Sequence, residues 1–137
     1  MRSRSYISVV IRSYNRADIL RGAIESLVCQ SVDCSRFEII VADNLSRDHT
    51  SIVIREFQET VPNLRYCVED QLGSSIAGNR GWQQAAGDYI AFMDHDAKAS
   101  EQCLERAFAI IETKKPVIFG GPYFAFYNSE EPVRPRS

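Results

Sequence analysis

The sequence predicts an α/β fold: a mostly parallel, doubly wound sheet flanked by helices. Three observations predict it. Short apolar, β-branched or aromatic runs alternate with stretches of helical spacing. The runs are apolar almost without a break, as strands are when helices cover both faces. Capping residues stand at the junctions between the two kinds of segment.

The first strand is expected over Tyr6–Ile11. After it, Ile19, Leu20, Ala23, Ile24, Leu27 and Val28 fall on one stripe of a 3.6-residue period, a helix lying on a sheet. Asn15, with Asp18 three residues on, resembles a capping box for that helix. Phe37–Ala42 is the second strand. Ile52, Val53, Phe57 and Val61 mark a second helix, with Ser46 or Asp48 to cap it. Leu64–Val68 is the third strand. The stretch from Gly73 to Gly87 is rich in Ala and Gly and reads as a third helix with Trp82 as its large anchor. Tyr89–Met93 is the fourth strand, and Ser100 is placed to cap a fourth helix carrying Leu104, Ala107, Phe108 and Ile111. Val117–Phe119 is a fifth strand. The polar, proline-containing segment from Asn128 to Ser137 reads as a disordered tail or linker, which leaves residues 1–127 as the folded domain.

Length and composition bound what such a domain does. A chain of 137 residues is one domain. Its size allows a core burying about 70% of the unfolded surface. Apolar residues at 45% and charged residues at 25% exclude disorder as the main state. A net charge of -2 excludes a nucleic-acid surface built on bulk charge. Cys29, Cys34, Cys67 and Cys103 include no C-x-x-C pair and there are only two histidines, so a structural zinc site is not expected. Cys67 and Cys103 read as small core fillers, reduced in a cytoplasmic protein. No apolar stretch approaches the roughly 20 residues of a membrane span, and the N-terminal run is too short for a signal peptide.

Ligands of an open parallel sheet bind outside the carboxyl ends of its strands. Three polar clusters fall there: Arg12 to Arg16, Asp43 to Asp48, and Asp94-His95-Asp96. In an extended segment the two carboxylates of Asp94 and Asp96 would share one side, about 7 Å apart, with His95 opposite. Two hard oxygen donors can hold a divalent cation that also takes phosphate oxygens. A turn capped by aspartates explains the same residues. Asp43 could accept from a ribose hydroxyl or a base N–H, or close an Asx turn with Asn44. Asn15 reads as a helix cap, Tyr14 as a stacking or rim residue, and Arg16 and Arg80 as phosphate ligands or solvated charges. Gly73-Ser-Ser-Ile-Ala-Gly78 lacks the Lys-Ser/Thr of a P-loop, and neither G-x-G-x-x-G nor G-x-S-x-G is present in the required place.

In order along the chain, ISVVIRSYNRADILRGAIESL, FEIIVADNLSRDHT and LGSSIAGNRGWQQAAGDYIAFMDHDA resemble the family 2 glycosyltransferases of GT-A fold, from about Tyr6 to Tyr123. The resemblance implies an inverting transferase that moves a sugar from a nucleotide-diphosphate donor, UDP being the first expectation, to an acceptor hydroxyl. It implies that Ser13, Tyr14, Asn15 and Arg16 line the nucleotide pocket. Asp43 would recognise base or ribose, and Asn79 would join the nucleotide-sugar contacts. Asp94 and Asp96 would form a D-x-D motif holding Mn²⁺ or Mg²⁺, Asp96 as metal ligand above all and Asp94 also as a ribose contact. Two positions depart from the family pattern. Arg12 stands where members usually carry Pro, and Gly78 stands at the arginine of the usual A-R-N-x-G. Arg80 would face about 200° away from position 78 on a helix.

The family continues beyond Gly120-Gly121-Pro122 into an acceptor half that carries the general base. The expectation is therefore a C-terminal acceptor half missing here, with donor binding but little transfer. The aromatic segment from Pro122 to Tyr127 is then available for self-association. The acceptor itself is unknown, and the expected location is cytoplasmic, including the inner face of a membrane. The alternative readings are a degenerate domain kept as an interaction module, and a sugar nucleotidyltransferase. The second wants a glycine-rich loop that Arg12 to Arg16 does not provide.

Overall fold

The computed structural model describes residues 5–71 and 73–115. Strands β1 (Ile7–Ser13), β2 (Phe37–Asp43), β3 (Leu64–Val68) and β4 (Tyr89–Asp94) alternate with helices α1 (Ala17–Val28), α2 (Thr50–Gln58), α3 (Ser74–Gln83) and α4 (Cys103–Lys114), and a single 3-10 turn at Cys34–Arg36 precedes β2. The strand order is β3-β2-β1-β4, and every pair is parallel. The predicted fifth strand at Val117–Phe119, the aromatic segment and the tail lie outside the described residues.

Alternation along β1 and β2 explains the layers. Ile7, Val9 and Ile11 with Phe37, Ile39 and Val41 point to one face, where Leu20, Ile24 and Leu27 of α1, Ile54 of α2 and Leu104, Phe108 and Ile111 of α4 bury them. Val10, Ile40 and Ala42 point to the other face together with Cys67 of β3, where Ala77 of α3 packs on them. Helices therefore lie on both faces, as the unbroken apolar runs of β1 and β2 require. At one edge of this sheet β4 alternates instead: Ile90 and Phe92 are exposed while Tyr89, Ala91 and Met93 are partly buried.

Several local expectations give way to tertiary contacts. Asn15 does not cap α1. The Ala17 N–H donates to Asp48 Oδ2 at 3.1 Å, so a residue from the β2–α2 loop caps α1 from across the sheet end. Asp48 also accepts from the Thr50 N–H at 3.1 Å, in the first turn of α2. The α4 N-terminus is served by Gln30, whose Oε1 accepts from Leu104 N at 2.9 Å, rather than by the Ser100 side chain. Trp82 is exposed, and α3 meets the sheet through Ala77, Gly78 and Gly81. A Cβ on Gly81 would lie 2.5 Å from Val10 Cγ1, so this contact requires a glycine. Cys67 is buried as expected, but Cys103 is exposed at the start of α4. Among the described residues no helix is long and apolar enough to cross a membrane.

Candidate nucleotide site at the strand ends

The chain steps outward from β1 to β2 to β3 and then returns to the other side of β1 as β4. The gap between the ends of β1 and β4 is therefore a topological switch point, where connections leave in opposite directions and open a crevice. Register aligns the ends: Ser13 pairs with Asp43 across β1 and β2, and Arg12 pairs with Asp94 across β1 and β4. A cleft of about 470 Å³ opens there. Ser13, Tyr14, Asp94 and Asp96, all anticipated from the sequence, line it. Arg12, Asn44, Gly73, Ala77 and His95 line it as well.

Two loops are fastened together beside the cleft. Asn15 sits in the left-handed region at φ 50°, a conformation Asn tolerates better than most residues. Its N–H donates to Ser46 Oγ at 2.9 Å, and its Oδ1 accepts from Arg47 N at 2.7 Å. Asn15 is thus a latch between the β1–α1 and β2–α2 loops. Arg16 is the residue before α1; it lies 3.8 Å from Asp18 and is not among the residues lining the cleft.

Asp43 is 3% exposed at the end of β2 and does not line the cleft wall. Its Oδ1 accepts from the N–H and hydroxyl of Ser46, and its Oδ2 accepts from the Tyr66 hydroxyl at 2.8 Å. Burial, and next the bond to the Asp43 carboxylate, push the Tyr66 hydroxyl far above its ordinary range, so it remains a donor. Asp43 thereby shapes the β2–α2 turn.

Asn44 was legible only as half of a turn, and it organises more than that. Its Nδ2 donates to the carbonyls of Glu69 at 3.1 Å and Gln71 at 2.7 Å, and its Oδ1 accepts from Gly73 N at 2.8 Å. It holds the β3–α3 connection against the cleft. Gly73, at φ 137°, takes a backbone conformation closed to other residues. The signals for this pair were an amide side chain directly after a buried strand and a lone glycine ahead of a helix. Asn79 and Arg80 are on the exposed side of α3 and do not line the cleft.

At the third strand end, β4 stops at Asp94, and His95 and Asp96 form a turn. The extended spacing expected for this tripeptide does not hold, and His95 lines the cleft beside both aspartates instead of pointing away. Asp94 Oδ1 accepts from Arg12 Nη2 at 2.6 Å, with the Asp94 side chain 63% exposed. Among the described residues no group of three or more His, Cys, Asp or Glu side chains is placed to hold a metal. Two carboxylates on an open cleft still fit Mg²⁺ or Mn²⁺, which take few protein oxygens and complete their shell with phosphate and water.

Comparison with known proteins agrees with this geometry. The model of glycosyl transferase family 2 matches residues 8–137. Glycosyltransferase AglE of Haloferax volcanii is 34% identical over 117 residues, which is 85% of this chain and 38% of that protein. The uncharacterized glycosyltransferase YibD of Escherichia coli is 35% identical over 96 residues, 70% of this chain and 27% of its own length. The crystal structure of S. aureus TarS 1-349 in complex with UDP superposes with a TM-score of 0.74 at 26% identity, over 78% of this chain and 32% of that one. The mannosyltransferase PcManGT of Pyrobaculum calidifontis, in complex with GDP-Man and Mn2+, has the same fold at a TM-score of 0.75 and 24% identity, over 81% of this chain and 33% of its own. The chain thus spans well under half the length of these relatives. A parallel α/β sheet of GT-A type, with its cleft at the β1/β4 switch point, and a family match over nearly the whole sequence place this chain in glycosyl transferase family 2.

Proposed function

We propose that this domain binds the nucleoside-diphosphate sugar donor of an inverting glycosyltransferase at the β1/β4 cleft, with UDP as the nucleotide. The observation that carries the reading is the joining of Ser13, Tyr14, Asp94 and Asp96 in one cleft at the switch point. The S. aureus TarS structures with UDP and with UDP-GlcNAc make uridine the first base to test.

Each residue has a task in this reading. Tyr14, 45% exposed at the rim, offers its ring to stack on the base. Asp43 and the Asn15 latch fix the loops that enclose the nucleoside. Asp94 and Asp96 would hold Mn²⁺ or Mg²⁺, with Asp94 also meeting the ribose, and the cation would supply positive charge to offset that of the departing diphosphate. Tyr66 donates to Asp43, which orients that carboxylate. Asn79 and Arg16 stand outside the cleft wall, so their contribution to the donor is secondary. The acceptor hydroxyl attacks the anomeric carbon from the face opposite the diphosphate, and a basic residue must take its proton. No described residue is assigned that role.

Calorimetry tests the reading directly. Titrating the chain with UDP in the presence of Mn²⁺ should give saturable heat that chelation of the metal removes. Asp96→Asn should abolish the metal-dependent part, and Asp94→Asn should weaken it at least tenfold, the usual scale for losing a charge-assisted contact. Absence of heat at millimolar UDP, GDP or their sugar esters would sink the proposal.

A further inference from the structure

Among the described residues Arg12 is the only arginine or lysine on the cleft wall. It lies at the end of the central strand and its side chain projects to the α3 face, the face shared with its cross-strand neighbour Asp94. Its stem runs across Gly78. A Cβ at position 78 would come within 3.2 Å of Arg12 Cδ and 3.8 Å of Arg12 Cγ. The two positions where the sequence departs from its family, 12 and 78, are therefore neighbours in space. A large residue on β1 occupies the volume that the missing side chain on α3 leaves.

The head of Arg12 is poised rather than satisfied. Nη2 donates to Asp94 Oδ1 at 2.6 Å. Its Nε and the neighbouring Ser13 Oγ are buried with no hydrogen-bond partner among the described residues. Unpaired buried donors at a ligand cleft are what an absent acceptor leaves behind. The Arg12–Asp94 pair is also weakly held: the side chains are 33% and 63% exposed, and ion pairs that open to water contribute little. A guanidinium in this position suits a phosphate better than a single carboxylate oxygen, because it can donate two parallel bonds.

We infer that Arg12 is a ligand of the donor's diphosphate, held on Asp94 while the cleft is empty. The inference rests on the donor reading above. It makes Arg12 and the cation competitors for Asp94 until a nucleotide arrives. With the diphosphate present, Arg12 turns to the phosphate oxygens and Asp94 is released. Binding of cation and nucleotide is then coupled through one side chain.

The experiment compares wild type, Arg12→Met and Arg12→Lys. Methionine keeps an unbranched stem over Gly78 and removes the charge. Manganese binding alone is read by electron paramagnetic resonance, and UDP binding at saturating Mn²⁺ by calorimetry. Arg12→Met is expected to lose about tenfold or more in UDP affinity, the scale of a hydrogen-bonded charge. It is expected to bind Mn²⁺ alone as well as wild type or better. Arg12→Lys is expected to recover part of the UDP loss. Unchanged UDP affinity in Arg12→Met overturns the inference, and so does a parallel loss of Mn²⁺ affinity, which marks a structural role. Arg12→Lys as weak as Arg12→Met overturns it too. A wild type that binds no nucleoside diphosphate overturns the donor reading itself, and the inference with it.

Discussion

Asn15 shows how a single side chain fixes the geometry of the cleft rim. Its backbone lies at φ 50°, and its Oδ1 takes the Arg47 N–H at 2.7 Å. Conformation and hydrogen bond can be separated. Asn15→Gly keeps the left-handed backbone and loses the bond, and should cost about 1 kcal/mol. Asn15→Ala loses both and should cost about 2 kcal/mol. Urea unfolding midpoints should therefore fall in the order wild type, glycine, alanine; equal midpoints for the two variants would show that the backbone conformation carries no cost. The sequence marked Asn15 as important for the wrong reason, because a capping box is a local pattern and its actual partners are 31 and 32 residues away. The same holds at Asp48, a credible cap for α2 that also caps α1. Ser13, Tyr14, Asp94 and Asp96 were legible because strand ends are predictable from apolar runs, and strand ends are where ligands bind. Asn44 and Gly73 were not, since their roles depend on a loop folding back across the sheet end.

At the scale of elements, α3 is the helix that walls the cleft, and its composition carried more information than its one large residue. Trp82 is exposed, whereas Gly81 sits directly on Val10. Glycine in a helix normally costs about 1 kcal/mol against alanine, so its presence needs a packing reason. Here a Cβ would lie 2.5 Å from Val10 Cγ1, and β1 cannot retreat without disturbing both of its neighbours. Gly22 in α1 provides the contrast. A Cβ there meets the end of the flexible Lys98 side chain at 2.9 Å, which can swing aside. Gly81→Ala is expected to destabilise by about 1–3 kcal/mol through overpacking, and Gly22→Ala to be neutral or stabilising by up to about 1 kcal/mol. Thermal melts of the two variants decide it: a Gly81→Ala midpoint at or above that of Gly22→Ala would remove the packing argument. Within the described residues the alternation of four strands and four helices was legible because the 3.6-residue and unbroken apolar patterns do not overlap. The half-exposed face of β4 was not, because YIAFM reads as apolar at every position while Ile90 and Phe92 are exposed.

For the molecule as a whole, the two ends of the sheet are built for different purposes. The carboxyl end keeps Asp94 exposed beside a cleft. The amino end is sealed around a carboxylate. Glu38, 5% exposed, accepts from the Ser8 hydroxyl at 2.7 Å, the Ala86 N–H at 2.8 Å and Arg65 Nη1 at 2.9 Å. Gly87 packs against the backbone of Ser8, where a Cβ would lie 2.6 Å from the Ser8 nitrogen. The network therefore staples β1, β2 and β3 to the segment entering β4. Burial works to raise the Glu38 carboxyl, but the Ala86 and Ser8 hydrogen bonds and the Arg65 charge outweigh it and hold it below its ordinary 4.5. A depressed carboxyl stabilises the fold fully above the unfolded value and loses that contribution as pH falls through the folded one. Asp48 is displaced in the same direction, with its hydrogen bonds from Thr50 and Ala17 outweighing burial, so acid loosens the cleft loops as well. Glu38→Gln isolates the amino end. At pH 7 it should be less stable than wild type by about 1–2 kcal/mol, the scale of hydrogen bonds to a charge. The gap should close below pH 4.5, as wild-type Glu38 itself takes up a proton. Urea denaturation of both proteins at pH 7, 5, 4 and 3 measures it, and a gap constant across that range would show that the charge on Glu38 does not hold the sheet end together. Nucleotide binding at pH 7 should be the same in both proteins, because Glu38 sits near the start of β2 and the cleft opens beyond its last residue.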